Sequence, residues 1–341
     1  MTHRERVLSA MNHRAVDFPA VEFCYAPVGY YEHGEKLNSL FEKYEGDFEP
    51  WVRMSIPTLP EHTVGKDGRY NEIKKDAWGV EWEYRVFGMM GHVLHPAISD
   101  PSEYSAYQIP PYPRLSQIDY TAAKEHKKTF PLMRGGSFSY LERLSALRGF
   151  EDALVDLLED GEEVNRFLDR LTDHYLERVY QLLDMGVDIV SFGDDYGTQQ
   201  GLILSKDLFN HAIKPRLDRL MEPIRRAGKR IHFHSCGKID SLFGELNSLG
   251  VTSIWPQLPA YDMNTLADAC KEYAFSLSIH TDRAYTMTHG SPDDVRALVN
   301  REFDIFRPDK GSAWFYVEVD TGFPFENIQA LVEEIFSFRR K

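Results

Sequence analysis

Residues 187–238 decide the fold. They read VDIVSFGDDYG (187–197), TQQGLILSKDLFNHAIKPRLDRLMEPIRRAG (198–228) and KRIHFHSCGK (229–238). The outer segments are short and rich in β-branched and aromatic residues. The middle one carries apolar residues at helical spacing over Lys206–Ala227. Two strands joined by a helix of that length form a parallel pair, because an antiparallel pair needs only a tight turn. The same beat continues in both directions. TFPLMRGG (129–136), TSIWPQLP (252–259), FSLSIHTD (275–282) and AWFYVEVDTG (313–322) read as further strands. Helical stretches separate them near Tyr140–Met185, Ile239–Ser248, Asn264–Glu272, Pro292–Phe306 and Pro324–Arg339. Ser291, followed by a proline and two acids, is a good N-cap for the fourth of these helices.

Six strands are thus read from repeating units, and AVEFCY (20–25) and PWVRMSI (50–56) make eight. Eight βα units predict an α/β fold, a (β/α)8 TIM barrel, in a single domain spanning 1–341. An open doubly wound sheet is the runner-up, but no G-x-G-x-x-G follows any strand. The excess length lies in 57–128, which holds DAWGVEWEYRVFGMMGHVLHP and IPPYPRL and reads as a β-hairpin and loop insertion over the barrel.

Composition sets the outer limits. The chain has 341 residues, is 43% hydrophobic and carries a net charge of −14. That charge argues against nucleic acid as a partner. Three scattered cysteines make no disulfide framework. The opening MTHRERVLSAMNHR has no apolar run like that of a secretory leader, and no stretch approaches a membrane span. A cytoplasmic protein is expected.

In such a barrel, functional groups project from the C-terminal strand ends, and alternate side chains point inward. In AWFYVEVD the apolar Phe315, Val317 and Val319 suit the helix layer, so Trp314, Tyr316, Glu318 and Asp320 face inward. In FSLSIHTD the same test leaves Ser276, Ser278, His280 and Asp282 inside. His232, His234 and Cys236 share the inward face of the next-but-one strand upstream. One of Asp194 and Asp195 must face the mouth, unless the pair only caps the following segment. His232, a layer deeper, reads as a hydrogen-bonded core histidine; Trp255 and Trp314 read as barrel filler. His234 and Cys236, two positions apart, bring an imidazole and a thiolate close enough to share one ion, a pairing that suits Zn²⁺.

RERVLSAMNHRAVDFPAVEF (4–23), the block from Phe192 to Ile239 and FPFENIQALVEEI (323–335) resemble the uroporphyrinogen decarboxylase superfamily. The resemblance covers essentially the whole chain and implies a single (β/α)8 barrel. One branch comprises metal-free decarboxylases with an arginine-rich segment near the N-terminus that clamps substrate carboxylates. The corresponding stretch here, VEFCYAPVGYYEHG (21–34), has no arginine. The other branch comprises zinc- and corrinoid-linked methyltransferases, whose motif is H-x-C followed by a distant cysteine. His234 and Cys236 match its first two members. The third falls at Val317, where this chain has no cysteine, and the adjacent Glu318 is the substitute ligand expected.

The resemblance therefore implies Zn²⁺ on His234, Cys236 and Glu318, with Asp194, Asp195, His280 and Asp282 as catalytic groups. The chain has no D-x-H-x-x-G, so the corrinoid (cobalamin) would arrive on a separate protein. Its other partner would be a small methylated substrate or a methyl acceptor, with Met89 and Met90 in an apolar wall. A tetrapyrrole decarboxylase and a non-catalytic corrinoid-binding protein are the alternatives.

Overall fold

The structure is a computed structural model that describes residues 1–65 and 67–340. Its strands are β1 (Val21–Cys24), β2 (Glu72–Lys75), β3 (Glu81–Tyr84), β4 (His92–His95), β5 (Met133–Gly135), β6 (Ile189–Gly193), β7 (Arg230–Ser235), β8 (Ser253–Pro256), β9 (Ser276–His280) and β10 (Ala313–Glu318). Seven form a parallel sheet in the order β1-β10-β9-β8-β7-β6-β5. From β5 onward helical segments separate the successive strands, the connection that parallel pairing needs.

The sheet curls into most of a barrel. Trp314 of β10 and Ile189 of β6 share one apolar cluster with Val7, Met11, Ala20 and Phe48, although three strands separate them in the sheet. This cluster is the barrel floor. The first helix, His3–Ala10, plugs it from below; Thr2 and Glu5 form its capping box. The Ala10 carbonyl accepts Ser312 N–H (2.8 Å) and the Ser276 hydroxyl (3.2 Å). Phe315, Val317, Val319, Leu277 and Ile279 lie in the separate, larger core under the helices. The alternation read from the sequence holds on both strands.

The eighth strand expected at 50–56 does not form. Pro50 has no N–H to give a ladder, and at Met54 the Asn38 side chain takes both backbone groups, each at 3.0 Å. Among the described residues the parallel sheet therefore has seven strands. The seam between β1 and β5 is spanned by 47–49. Asp47 N–H donates to the Val21 carbonyl (2.6 Å) and its carboxylate accepts Val21 N–H (2.9 Å). Glu49 pairs with Arg134 of β5 at 2.7 Å.

Within 57–128, β2-β3-β4 make an antiparallel meander, one strand more than the hairpin expected. Asp76 shapes its first turn by accepting Trp78 N–H (2.9 Å), Val80 N–H (3.0 Å) and the Trp82 indole N–H (2.9 Å). The second connection, 85–91, reaches the barrel mouth at Met89. Met90 points away and is 78% exposed. Among the described residues no helix is long and apolar enough to cross a membrane.

A candidate metal centre at the barrel mouth

β7 places His232 and His234 on its inward face, and Cys236 follows just past its end. The chain then turns at Gly237 (φ +71°) and passes against the loop after β6. A Cβ on Gly237 would lie 2.2 Å from the Gly197 carbonyl carbon, and one on Gly197 only 2.6 Å from Lys238 N. Two glycines are needed where these backbones touch. Lys238 N–H donates to the Thr198 carbonyl (2.7 Å), and Tyr196 N–H to the Ser235 hydroxyl (3.0 Å). This contact brings Asp195 to Cys236, whose N–H donates to Asp195 Oδ1 at 2.7 Å.

His234 Nδ1 lies 2.8 Å from the Trp255 carbonyl, which can only accept, so Nδ1 carries the proton. The lone pair is left on Nε2. That atom is 3.6 Å from Cys236 Sγ and 3.7 Å from Asp195 Oδ1. A tetrahedral zinc with ordinary Zn–N, Zn–O and Zn–S bond lengths sets its donors about 3.4–3.6 Å apart. Donor atoms of Asp195, His234 and Cys236 all fall within 4.8 Å of one another, the only such trio among the described residues. The carbonyl behind the imidazole is the outer partner a histidine ligand normally has. Burial lowers the His234 pKa, which keeps the ring neutral and its lone pair available. Burial, then the Asp195 carboxylate, push the Cys236 thiol up to about 12 in the protein's own field.

The Trp255 ring lies 4.0 Å from His234, centroid to centroid, and its indole N–H donates to His280 Nδ1 at 3.1 Å. His280 therefore carries its proton on Nε2. That atom is buried with no hydrogen-bond partner among the described residues. Its nearest carboxylate oxygen is Glu318 Oε2, at 3.8 Å. Burial drives the His280 pKa well below its ordinary value, so the ring is neutral.

A cavity of about 410 Å³ joins these groups, with His234, Cys236 and Trp255 on one side and His280, Arg283 and Glu318 on the other. Arg283 Nη1 sits 3.3 Å from Glu318 Oε2 and 3.1 Å from Asp320 Oδ2. Cys24 Sγ is 3.6 Å from the other Glu318 oxygen. Burial and Asp320 raise the Glu318 carboxyl, against the opposing pull of Arg283.

The expected site residues thus separate. His234, Cys236 and His280 are together. Asp195, expected as a catalytic group, supplies the third donor beside the H-x-C pair. Glu318, expected as that donor, stands outside the trio and belongs to the facing wall. Asp194 is 1% exposed and accepts the N–H groups of Tyr140 (2.6 Å), Leu141 (2.9 Å) and Glu142 (2.9 Å). It caps the helix Leu141–Arg148 rather than the segment after it, and burial pushes it up to about 6. Asp282 accepts from Ala284, Tyr285 and Thr286 N–H and is taken up by that turn. His232 is a core histidine bonded to the Ser253 hydroxyl at 2.9 Å, its pKa pushed down by burial to about 3. Sequence reasoning missed Arg283, directly after Asp282, and the positioning role of Trp255. An arginine following an inward-facing strand end was the available signal.

The family described as uroporphyrinogen decarboxylase (URO-D) matches residues 77–337. No curated protein matches the chain. Among solved structures, the fold is similar to a methyltransferase from Methanosarcina mazei, with 15% identity, a TM-score of 0.65 and 99% of each chain covered. A dihydropteroate synthase from Xanthomonas albilineans aligns at 10% identity and TM-score 0.37, over 58% of this chain and 65% of that one. Another from Stenotrophomonas maltophilia aligns at 12% and 0.37, over 49% and 64%.

Proposed function

The chain belongs to the uroporphyrinogen decarboxylase (URO-D) family, and on that premise we propose that it is a zinc-dependent methyltransferase. It moves a methyl group between a small methylated substrate or acceptor and a corrinoid carried on a separate protein. The observation that carries this reading is the three-donor group of Asp195, His234 and Cys236, with His234 held in the tautomer that offers Nε2 to a metal. The likeness to a methyltransferase supports the same branch.

His234, Cys236 and Asp195 would hold zinc, leaving a fourth position toward the cavity. Zinc held there supplies Lewis acidity toward a substrate oxygen or sulfur, and the corrinoid supplies the cobalt that carries the methyl group. The remaining work falls to the chain. Trp255 covers the imidazole and fixes His280 through its indole N–H. His280 holds a proton at Nε2, facing Glu318. Glu318, its carboxyl raised by burial, gives a proton to a departing oxygen when protonated, or takes one from an acceptor thiol when ionised, with the His280 N–H turned toward it. Arg283 balances Glu318 and Asp320, which otherwise would place two carboxylates uncompensated on one wall. Met89, from the meander, closes the apolar side.

A tetrapyrrole decarboxylase fits this cavity less well. Its substrate's carboxylates need cationic partners, and Arg283, the arginine among the lining residues, already serves two carboxylates. Metal analysis of purified protein tests the reading. Wild type is expected to carry about one zinc per chain and Cys236→Ser less than a tenth of that. Near-zero metal in both would end it.

A further inference from the structure

A second cavity, of about 620 Å³, opens beside the end of β5, outside the mouth cavity and sharing none of its lining residues. It collects three guanidinium groups, Arg114, Arg143 and Arg178, on a chain whose net charge is −14. Each comes from a different element: the segment before the helix Gln117–His126, the helix Leu141–Arg148 and the helix Glu162–Met185. On the last two helices Arg148 pairs with Asp156 and Arg166 with Glu163, and Arg170 is taken up by the carbonyls of Tyr104 and Ser105. These three have no carboxylate at ion-pair distance among the described residues. Arg143 lies over the Trp78 ring at 3.8 Å, and Arg178 faces Tyr112 at 5.7 Å. Those contacts orient the charges without cancelling them. Arg178 Nη1 donates to Gln181 Oε1 at 3.0 Å, but Nε of Arg143 and of Arg178 is buried with no acceptor among the described residues, a cost that calls for a compensating partner.

The backbone beside them is packed tightly against the neighbouring strand and the Arg178 stem, which fixes that arginine in place. A Cβ on Gly136 would lie 2.9 Å from Arg178 Cγ, and one on Gly135 2.8 Å from the Ser191 carbonyl oxygen. Ser137 is held at φ 52°, a left-handed conformation that a non-glycine residue rarely adopts without tertiary support. The carboxylate that lines the cavity, Asp119, is committed to the N–H and hydroxyl of Ser116.

We propose that this cavity binds a phosphoryl-bearing small molecule through Arg114, Arg143 and Arg178. A carboxylate offers two oxygens in one plane, which a single guanidinium fork satisfies. A phosphoryl group offers three strong acceptor oxygens in different directions, matching forks that arrive from three elements. The site is independent of the metal centre and adds an anion-binding function to it.

Calorimetric titration of the full chain at near-physiological salt tests the assignment, with pyrophosphate as ligand, succinate as the carboxylate control and Cys236→Ser as the protein that discounts metal chelation. Wild type and Cys236→Ser are expected to bind pyrophosphate saturably and alike, and at least tenfold more tightly than succinate. Arg143→Gln/Arg178→Gln is expected to lose at least tenfold in affinity. Absence of saturable binding, unchanged affinity in the double variant, or succinate binding as tight as pyrophosphate would each overturn the proposal. If the double variant fails to fold, Asp119→Asn serves instead. Removing that like charge is expected to tighten pyrophosphate binding severalfold, and unchanged or weaker binding refutes the site.

Discussion

Glu302 projects from the helix Pro292–Phe306 into the wall behind β9, fully buried, with the Thr281 hydroxyl donating to Oε2 at 2.9 Å and nothing among the described residues donating to Oε1. Burial pushes its carboxyl up to about 8, against the opposing Thr281 bond, with Asp282 adding to the rise. Its folded value thus lies above the ordinary 4.5. The native state holds the proton more tightly than the unfolded chain, so this contribution to stability is complete below pH ~4.5 and is lost as pH rises through ~8. Glu302→Gln keeps the shape and removes the charge. It is expected to match wild type near pH 5 and to exceed it by a few kcal/mol at pH 9 in urea denaturation. Parallel stability profiles for the two proteins would refute this. Alternation made His234, Cys236 and His280 legible as a set, because a strand leaves its side chains only two directions. Asp194 and Asp195 were not separable in the same way. They stand where the strand ends, and the turn at Gly197 decides which carboxylate meets Cys236. Glu318 was placed inward, as found, but its partner Arg283 lies on a different strand's loop, a proximity that spacing along the chain does not encode.

At the scale of elements, the site depends on two loops held backbone to backbone, the one after β6 and the one after β7. Gly237→Ala adds a Cβ into the Gly197 carbonyl group and puts a side chain at φ +71°. The loops must part, which draws Asp195 away from Cys236 while leaving β7 paired on both edges. The expected result is zinc affinity at least tenfold weaker by chelator competition, with far-ultraviolet circular dichroism unchanged. Equal affinity would show that the carboxylate is not a ligand. The strands from β5 to β10 were readable because each pairs a β-rich run with a following helix. The 50–56 segment carries a strand-like pattern, but backbone pairing is decided by what lies beside it, and there the Asn38 amide has already taken the Met54 groups.

Across the whole molecule, Asp47 is the joint. It is fully buried and receives Arg6 (2.5 Å), Arg339 (2.7 Å), His3 (2.8 Å) and Val21 N–H (2.9 Å), tying the first helix, the chain's last turn and β1 together. Asp47→Ala would leave two guanidinium groups facing each other with their shared anion gone. A loss of about 3–5 kcal/mol is expected in chemical denaturation, with zinc content per folded chain unaltered because the proposed metal donors sit at the other end of the strands. A loss under 1 kcal/mol would mean that the seam does not rely on it. The seam itself has a mechanical meaning. A closed hoop of ladder bonds resists widening equally at every point, whereas this one, among the described residues, is interrupted between Val21–Cys24 and Met133–Gly135 and fastened there by the Asp47 backbone and carboxylate and the Glu49–Arg134 pair. Compliance is therefore concentrated on one meridian, beside β5, the strand that borders the cavity of Arg114, Arg143 and Arg178. His234 and Asp195, by contrast, stand on or directly after strands whose ladder runs unbroken on both edges.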